Sequence, residues 1–90
     1  MKKLVEGMDF YNPIYREIFK IIGKSRLKKL IKIPGIDEFR ASAVLTHEGR
    51  FQVMTELFNG SSQEECVAKT GVEAGTVSKY GKEFKAYQSS

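Results

Sequence analysis

An all-α chain of five to six short helices, with a C-terminal tri-helical helix-turn-helix, is the fold class this sequence predicts. Three observations carry that expectation. Helix-start signals stand at Asn12-Pro13 and at Ser62-Gln63-Glu64-Glu65. Glycines at 23, 60 and 71 sit where helices should stop, and apolar residues between them recur at spacings of three and four. Ninety residues make a single small domain that buries about two-thirds of its unfolded surface. A composition of 41% apolar and 29% charged residues, with two prolines, is that of a globular chain. The stability of so small a core is modest, so dimerisation is expected to contribute to it.

The first helix starts at Asn12, an N-cap, and Pro13, whose missing amide would be unsatisfied at that position anyway. Tyr11, Tyr15, Ile18 and Ile22 follow as one apolar stripe, widened by Ile14 and Ile21, and Gly23 ends it. Ser25 is read as the cap of a short basic helix that carries Leu27, Leu30 and Ile31 on one face and stops before Pro34-Gly35. Asp37 would cap a third helix through Leu45, burying Phe39, Ala43 and Val44. Thr46 would cap a fourth, with Phe51, Met54, Leu57 and Phe58 inside and Gly60 as its stop. Ser62 and Glu65 then form a capping box, each able to satisfy the other's backbone amide. Cys66 and Val67 turn inward, Gly71 breaks the helix, and a last helix from Glu73 or Ala74 through Lys85 buries Val77, Tyr80 and Phe84. The single domain 1–90 therefore has an N-terminal helical part, 1–45, and a helix-turn-helix part, 46–87, with helices at 46–59, 62–70 and 73–86. Residues 1–9 and 88–90 are read as loose ends.

Helix, glycine turn, helix is the arrangement that lets one helix enter a DNA major groove. It needs a modest residue where the two helices touch, a left-handed turn residue, and apolar residues that close the wedge. Val67, Gly71, Val72 and Val77 stand in those places, although Val67 replaces the usual alanine and Thr70 a larger apolar residue. The start of the second helix would present Glu73, Gly75, Thr76, Lys79 and Lys82 to base edges, with Ser78 near a phosphate or base. Thr76 offers a hydroxyl and a methyl suited to a thymine methyl, and Gly75 lets backbone approach DNA closely. Gln63, and Ser62 beside it, lie at a helix N-terminus where a backbone phosphate is favoured.

The stretch LFNGSSQEECVAKTGVEAGTVSK resembles the helix-turn-helix of the KorA/TrfB-type plasmid repressors. Leu57, Gly60, Gln63, Gly71, Val72, Gly75, Val77 and Ser78 carry the likeness. The stretch is also similar to the PapB-type regulators of fimbrial operons through the leucine, Gly60 and Gly71, Gly75 and Ser78, with a faint echo at Ile33-Pro34-Gly35. The resemblance covers about residues 50–85. It implies a homodimeric or oligomeric DNA-binding regulator of transcription, read here as a repressor or autoregulator, and the lone cysteine fits a cytoplasmic protein.

Net charge is +4, which suits a polyanionic partner. Lys24, Arg26, Lys28, Lys29 and Lys32 fall within nine residues, and the first four of them are candidate contacts to the DNA backbone. The last thirty residues carry four Lys and four Glu. A single cysteine excludes an internal disulfide and leaves a four-ligand zinc site without ligands. No run is long and apolar enough to span a bilayer. No catalytic motif, metal set, cofactor fingerprint or evident small-molecule site is present, so an enzyme is not expected. His47 reads as structural and Cys66 as a core thiol. The rival reading, motivated by the neutral C-terminal third, is a protein-interaction adaptor or anti-repressor that uses the same helices without DNA. A third is the DNA-reading domain of a recombinase or transposase.

Overall fold

The computed structural model describes residues 5–35 and 41–89, and among these it is all-helical, with five α-helices and no strand. A 3₁₀ turn at Val5–Gly7 precedes α1 (Pro13–Ile22), α2 (Lys24–Leu30), α3 (Ala41–Phe58), α4 (Gln63–Thr70) and α5 (Ala74–Ser89). The chain divides into two compact units, one of residues 12–48 and one that joins residues 5–11 to residues 49–89. Helix α3 contributes a segment to each.

In the unit of residues 12–48, the Asn12 side-chain oxygen accepts the amides of Ile14 (2.9 Å) and Tyr15 (3.3 Å), and Pro13 opens α1 as its sequence predicts. Gly23 ends it at φ 87°, its amide donating to the Phe19 carbonyl at 2.8 Å. The same glycine begins α2, because its carbonyl accepts the Leu27 amide at 3.1 Å. Ser25 is therefore not the cap; it lies exposed inside the first turn. Tyr15, Ile18, Phe19, Ile22, Leu30 and Leu45 pack on buried Leu27, Ala41 and Val44. Ile14 and Ile21 do not widen this face: they are 67% and 76% exposed, since the packed arc of α1 runs through residues 15, 18, 19 and 22 on its other side. Ile31 is exposed as well, standing just past the last turn of α2.

Two buried polar contacts tie α1 to α3 within this unit. His47 Nε2 accepts the Asn12 amide at 2.9 Å, with the Tyr15 ring edge-on to the imidazole. Arg16 Nη1 donates to both oxygens of buried Glu48 at 2.7 Å, so the carboxylate is paired where an unpaired one would be costly. Thr46 caps nothing, because α3 runs unbroken through it. Val44 on one side and His47 on the other are both buried, and Thr46 faces outward. The predicted cap Asp37 and the predicted core residue Phe39 lie outside the described residues.

The other unit has its core in Val5, Met8, Val53, Met54, Cys66, Val77 and Tyr80. Val5 and Met8 correct the reading of residues 1–9 as a loose end, since both are buried against α3 and α5 residues. Phe51, Leu57, Phe58 and Phe84 are only half-buried around that core, and Val53, not singled out in the sequence, is fully buried. Helix α5 continues to Ser89 rather than stopping near Lys85. Tyr87 and Phe84 both set their rings edge-on against Phe58, at 6.2 and 4.9 Å, which holds the last turns in place. Among the described residues no helix is long and apolar enough to cross a membrane.

Candidate nucleic-acid interface

Helix α4 starts where its capping box requires. The Ser62 hydroxyl accepts the Glu65 amide at 3.1 Å, and Glu65 Oε1 accepts the Ser62 amide at 2.8 Å. The helix ends on Gly71 at φ 78°, a left-handed conformation that residues with a Cβ rarely adopt. Thr70 explains its own presence where a larger apolar residue is usual. Its hydroxyl donates to the Cys66 carbonyl at 2.7 Å and accepts the Val72 amide at 3.2 Å, bridging the end of α4 to the turn. Helices α4 and α5 pack on each other, and Cys66, Val77 and Tyr80 are buried in the cluster they share with Val53 and Met54 of α3.

Along α5 the residues sort by the helical repeat. Val77, Tyr80 and Gly81 are buried, so Gly75, Lys79 and Lys82, spaced by four and three, share the opposite, exposed stripe. Thr76 and Ser78 are half-buried on the two flanks of that stripe, which corrects the expectation that Thr76 faces outward with Gly75 and Lys79. Glu73 is exposed just before the helix, its carbonyl accepting the Val77 amide at 2.9 Å. A Cβ on Gly75 would meet nothing within 4 Å, so no contact inside the chain requires glycine there.

Gln63 is exposed at the first position of α4, but its amide folds over the next helix. A Cβ on Gly81 would come to 2.6 Å from Gln63 Nε2. Gly81 is thus the residue that lets the Gln63 side chain lie against α5, a role that sequence spacing alone did not signal. The Ser62 hydroxyl is engaged with Glu65 and exposed. Lys24, Arg26, Lys28 and Lys29 are exposed on α2, which belongs to the other unit.

Two contacts missed by sequence reading hold α5. The Arg50 guanidinium of α3 pairs with both Glu83 oxygens, Nε at 3.1 Å from Oε1 and Nη2 against Oε2. It also lies over the rings of Phe10 (4.6 Å) and Tyr80 (5.5 Å). Glu83 is thereby matched from α3, and no described carboxylate pairs with Lys79, Lys82 or Lys85. Glu56, near the end of α3, accepts from the Ser61 hydroxyl at 2.8 Å and from Lys69 at 3.4 Å. The Ser61 bond first, and Lys69 after it, hold the Glu56 carboxyl below its ordinary value.

No family model, curated protein or solved structure matches this chain.

Its chemistry is read from the residues themselves. Burial first, then the charges of Glu56 and Glu65, pushes the Cys66 thiol up, so the sulfur stays a protonated core group. Among the described residues no three His, Cys, Asp or Glu side chains gather as a metal site. The exposed stripe of α5 carries cations, a glycine and no apolar side chain other than Ala86. Such a surface favours phosphate and base edges over an apolar ligand.

Proposed function

We propose that this chain is a sequence-specific DNA-binding regulator of transcription, a repressor or autoregulator that binds its operator as a homodimer. The observation that carries the reading is the pair α4 and α5, joined through a left-handed Gly71, with Gly75, Lys79 and Lys82 along the exposed stripe of the second helix. In this reading α5 lies in the major groove. Lys79 and Lys82 take guanine edges or phosphates, the bare backbone at Gly75 approaches the groove wall, and Thr76, Ser78 and Glu73 contribute from its margins. Gln63 and Ser62 set register on phosphate at the start of α4. The likeness of residues 50–85 to the KorA/TrfB-type and PapB-type regulators supports the same conclusion.

The second reading, an adaptor or anti-repressor that binds protein, draws support from charge. Residues 12–48 hold eight Lys and Arg against four Asp and Glu, whereas the remainder of the chain holds seven of each. Residues 61–90, which include α4 and α5, hold four Lys against four Glu and are neutral.

A titration of labelled duplex from upstream of the chain's own gene, with unrelated duplex as competitor, separates the two. The regulator binds tightly against competitor and loses affinity steeply as salt rises. Lys79→Ala lowers operator affinity by about five- to 150-fold, with little change on unrelated duplex, as loss of a base contact worth roughly 1–3 kcal/mol requires. Absence of binding at low salt would leave the adaptor standing, and full operator affinity in Lys79→Ala would refute the docking of α5.

A further inference from the structure

Among the buried residues of α5, Gly81 alone has no side chain to bury. A glycine weakens a helix interior relative to alanine, so its place there needs an offsetting use. The three atoms nearest to where its Cβ would stand all belong to Gln63 of α4: Nε2 at 2.6 Å, Cδ at 3.5 Å and Cγ at 3.9 Å. The Gln63 carboxamide is therefore seated on bare α5 backbone, in space that any other residue at 81 would fill. Gly75 gives the contrast, since a Cβ there meets nothing within 4 Å. The seat also fixes the side of α5 that the carboxamide occupies. Gly81 is three residues after Ser78 and four before Lys85, so the amide lies on the Ser78 flank of the stripe formed by Gly75, Lys79 and Lys82, away from Thr76. Packing alone holds it there. Among the described residues no hydrogen bond uses Gln63 Nε2 or Oε1, which leaves its donors and its acceptor for a group from outside the chain.

We infer that Gly81 is a positioning residue for DNA: it seats the Gln63 carboxamide so that Nε2 donates to a backbone phosphate on the Ser78 flank of α5. The inference rests on the DNA-binding function proposed above and deepens it by adding a residue that is itself buried. A phosphate oxygen is the acceptor this geometry favours. The carboxamide stands off the centre of the stripe, at the edge of a helix placed in the groove, where the sugar–phosphate strand runs. A carboxamide already held by packing donates without first being ordered, whereas one free in solvent loses rotamer freedom on binding. Gly81→Ala sets a Cβ against the far end of a flexible side chain, so Gln63 swings aside while α4 and α5 keep their packing. The contact neutralises no phosphate, so its loss changes affinity but not the salt dependence of affinity.

The test is the same duplex titration, over a range of salt, on wild type, Gly81→Ala, Gln63→Ala and the double variant, with circular dichroism and urea unfolding on each. Gly81→Ala and Gln63→Ala each lower operator affinity by about ten- to 150-fold, as loss of a hydrogen bond to a charged group requires. The double variant binds no more weakly than either single one, and the salt slope stays that of wild type. A general distortion of α5 would instead add its loss to that of Gln63→Ala. Without DNA, Gly81→Ala raises the urea midpoint more in the Gln63→Ala chain than in wild type, where it must displace the carboxamide. Gln63→Glu, which keeps the length but offers only acceptors, binds more weakly than Gln63→Ala. Should Gly81→Ala fail to fold, this last pair still decides: Gln63→Glu binding as well as Gln63→Ala would overturn the phosphate contact. Wild-type affinity in folded Gly81→Ala, or additive losses in the double variant, would overturn the role of Gly81. Those outcomes leave the proposed function intact as long as Lys79→Ala still weakens operator binding. A wild type that binds no duplex would overturn both.

Discussion

At the scale of single residues, glycines separate what the fold needs from what it does not. Gly71 is at φ 78°, where a side chain is strained, and it must stay for α4 to turn into α5. Gly75 has ordinary backbone and open space around it, yet it weakens a helix by about 0.5–1 kcal/mol relative to alanine. Gly75→Ala is therefore expected to raise the unfolding midpoint slightly. If the backbone at 75 meets DNA, the same substitution lowers operator affinity, and the two measurements move in opposite directions. A variant that is more stable and binds as well as wild type would remove Gly75 from the interface. Gly49, inside α3, makes the opposite point: a Cβ there meets Val72 Cγ2 at 3.5 Å, an ordinary contact. Gly49→Ala should stabilise the protein by roughly 0.5–1 kcal/mol in urea unfolding and leave DNA binding unchanged.

At the scale of elements, the junction of α3, α4 and the loop between them is held by Glu56, Ser61 and Lys69. Glu56 titrates below its ordinary value, so its contribution is present above about pH 4.5 and is lost as pH falls through the lowered folded-state value. Glu56→Gln should leave acid unfolding shallower than in wild type, with the difference confined to pH below about 4.5; parallel acid limbs would show that the carboxylate contributes nothing there. Such local devices explain which elements could be read in advance. The start of α1 at Asn12-Pro13, the capping box of α4 and the Gly71 turn are each set by residues adjacent in sequence, and each stands as predicted. The break expected at Thr46 failed because cap chemistry is permissive: a threonine can cap a helix, or ride on its outer face when Val44 and His47 are buried beside it. The Arg50–Glu83 pair and the inward place of Val5 and Met8 depend on contacts across dozens of residues, which periodicity does not encode. On the candidate interface, the stripe of Gly75, Lys79 and Lys82 was legible from the 3.6-residue repeat. The half-burial of Thr76 was not, since it depends on how far the core wraps around α5.

At the scale of the whole molecule, the net charge and the candidate interface fall in different parts of the chain. Residues 12–48 carry an excess of four positive charges, and residues 61–90, which include α4 and α5, are neutral. A regulator built this way would draw its salt-dependent affinity from α2 and its sequence preference from α5. Each phosphate neutralised by a Lys or Arg adds about 0.9 to the slope of log affinity against log salt on B-DNA. Replacing Lys24, Arg26, Lys28 and Lys29 together by Gln should therefore flatten that slope by up to about 3.6 for each copy bound, since all four side chains are exposed and the buried Leu27 that anchors α2 is left in place. Affinity should fall for operator and unrelated duplex by the same factor, so the ratio between them is kept. Lys79→Ala does the reverse, lowering the ratio and changing the slope by at most about one for each copy bound. An unchanged slope in the fourfold variant would show that α2 does not track the phosphates, and the cations of α5 would then have to supply the attraction by themselves. With only Lys79, Lys82 and Lys85 there and Glu73 beside them, the slope from α5 could not exceed about 2.7 for each copy bound. A measured wild-type slope above about 2.7 for each copy bound already requires cations outside α5, before any substitution is made.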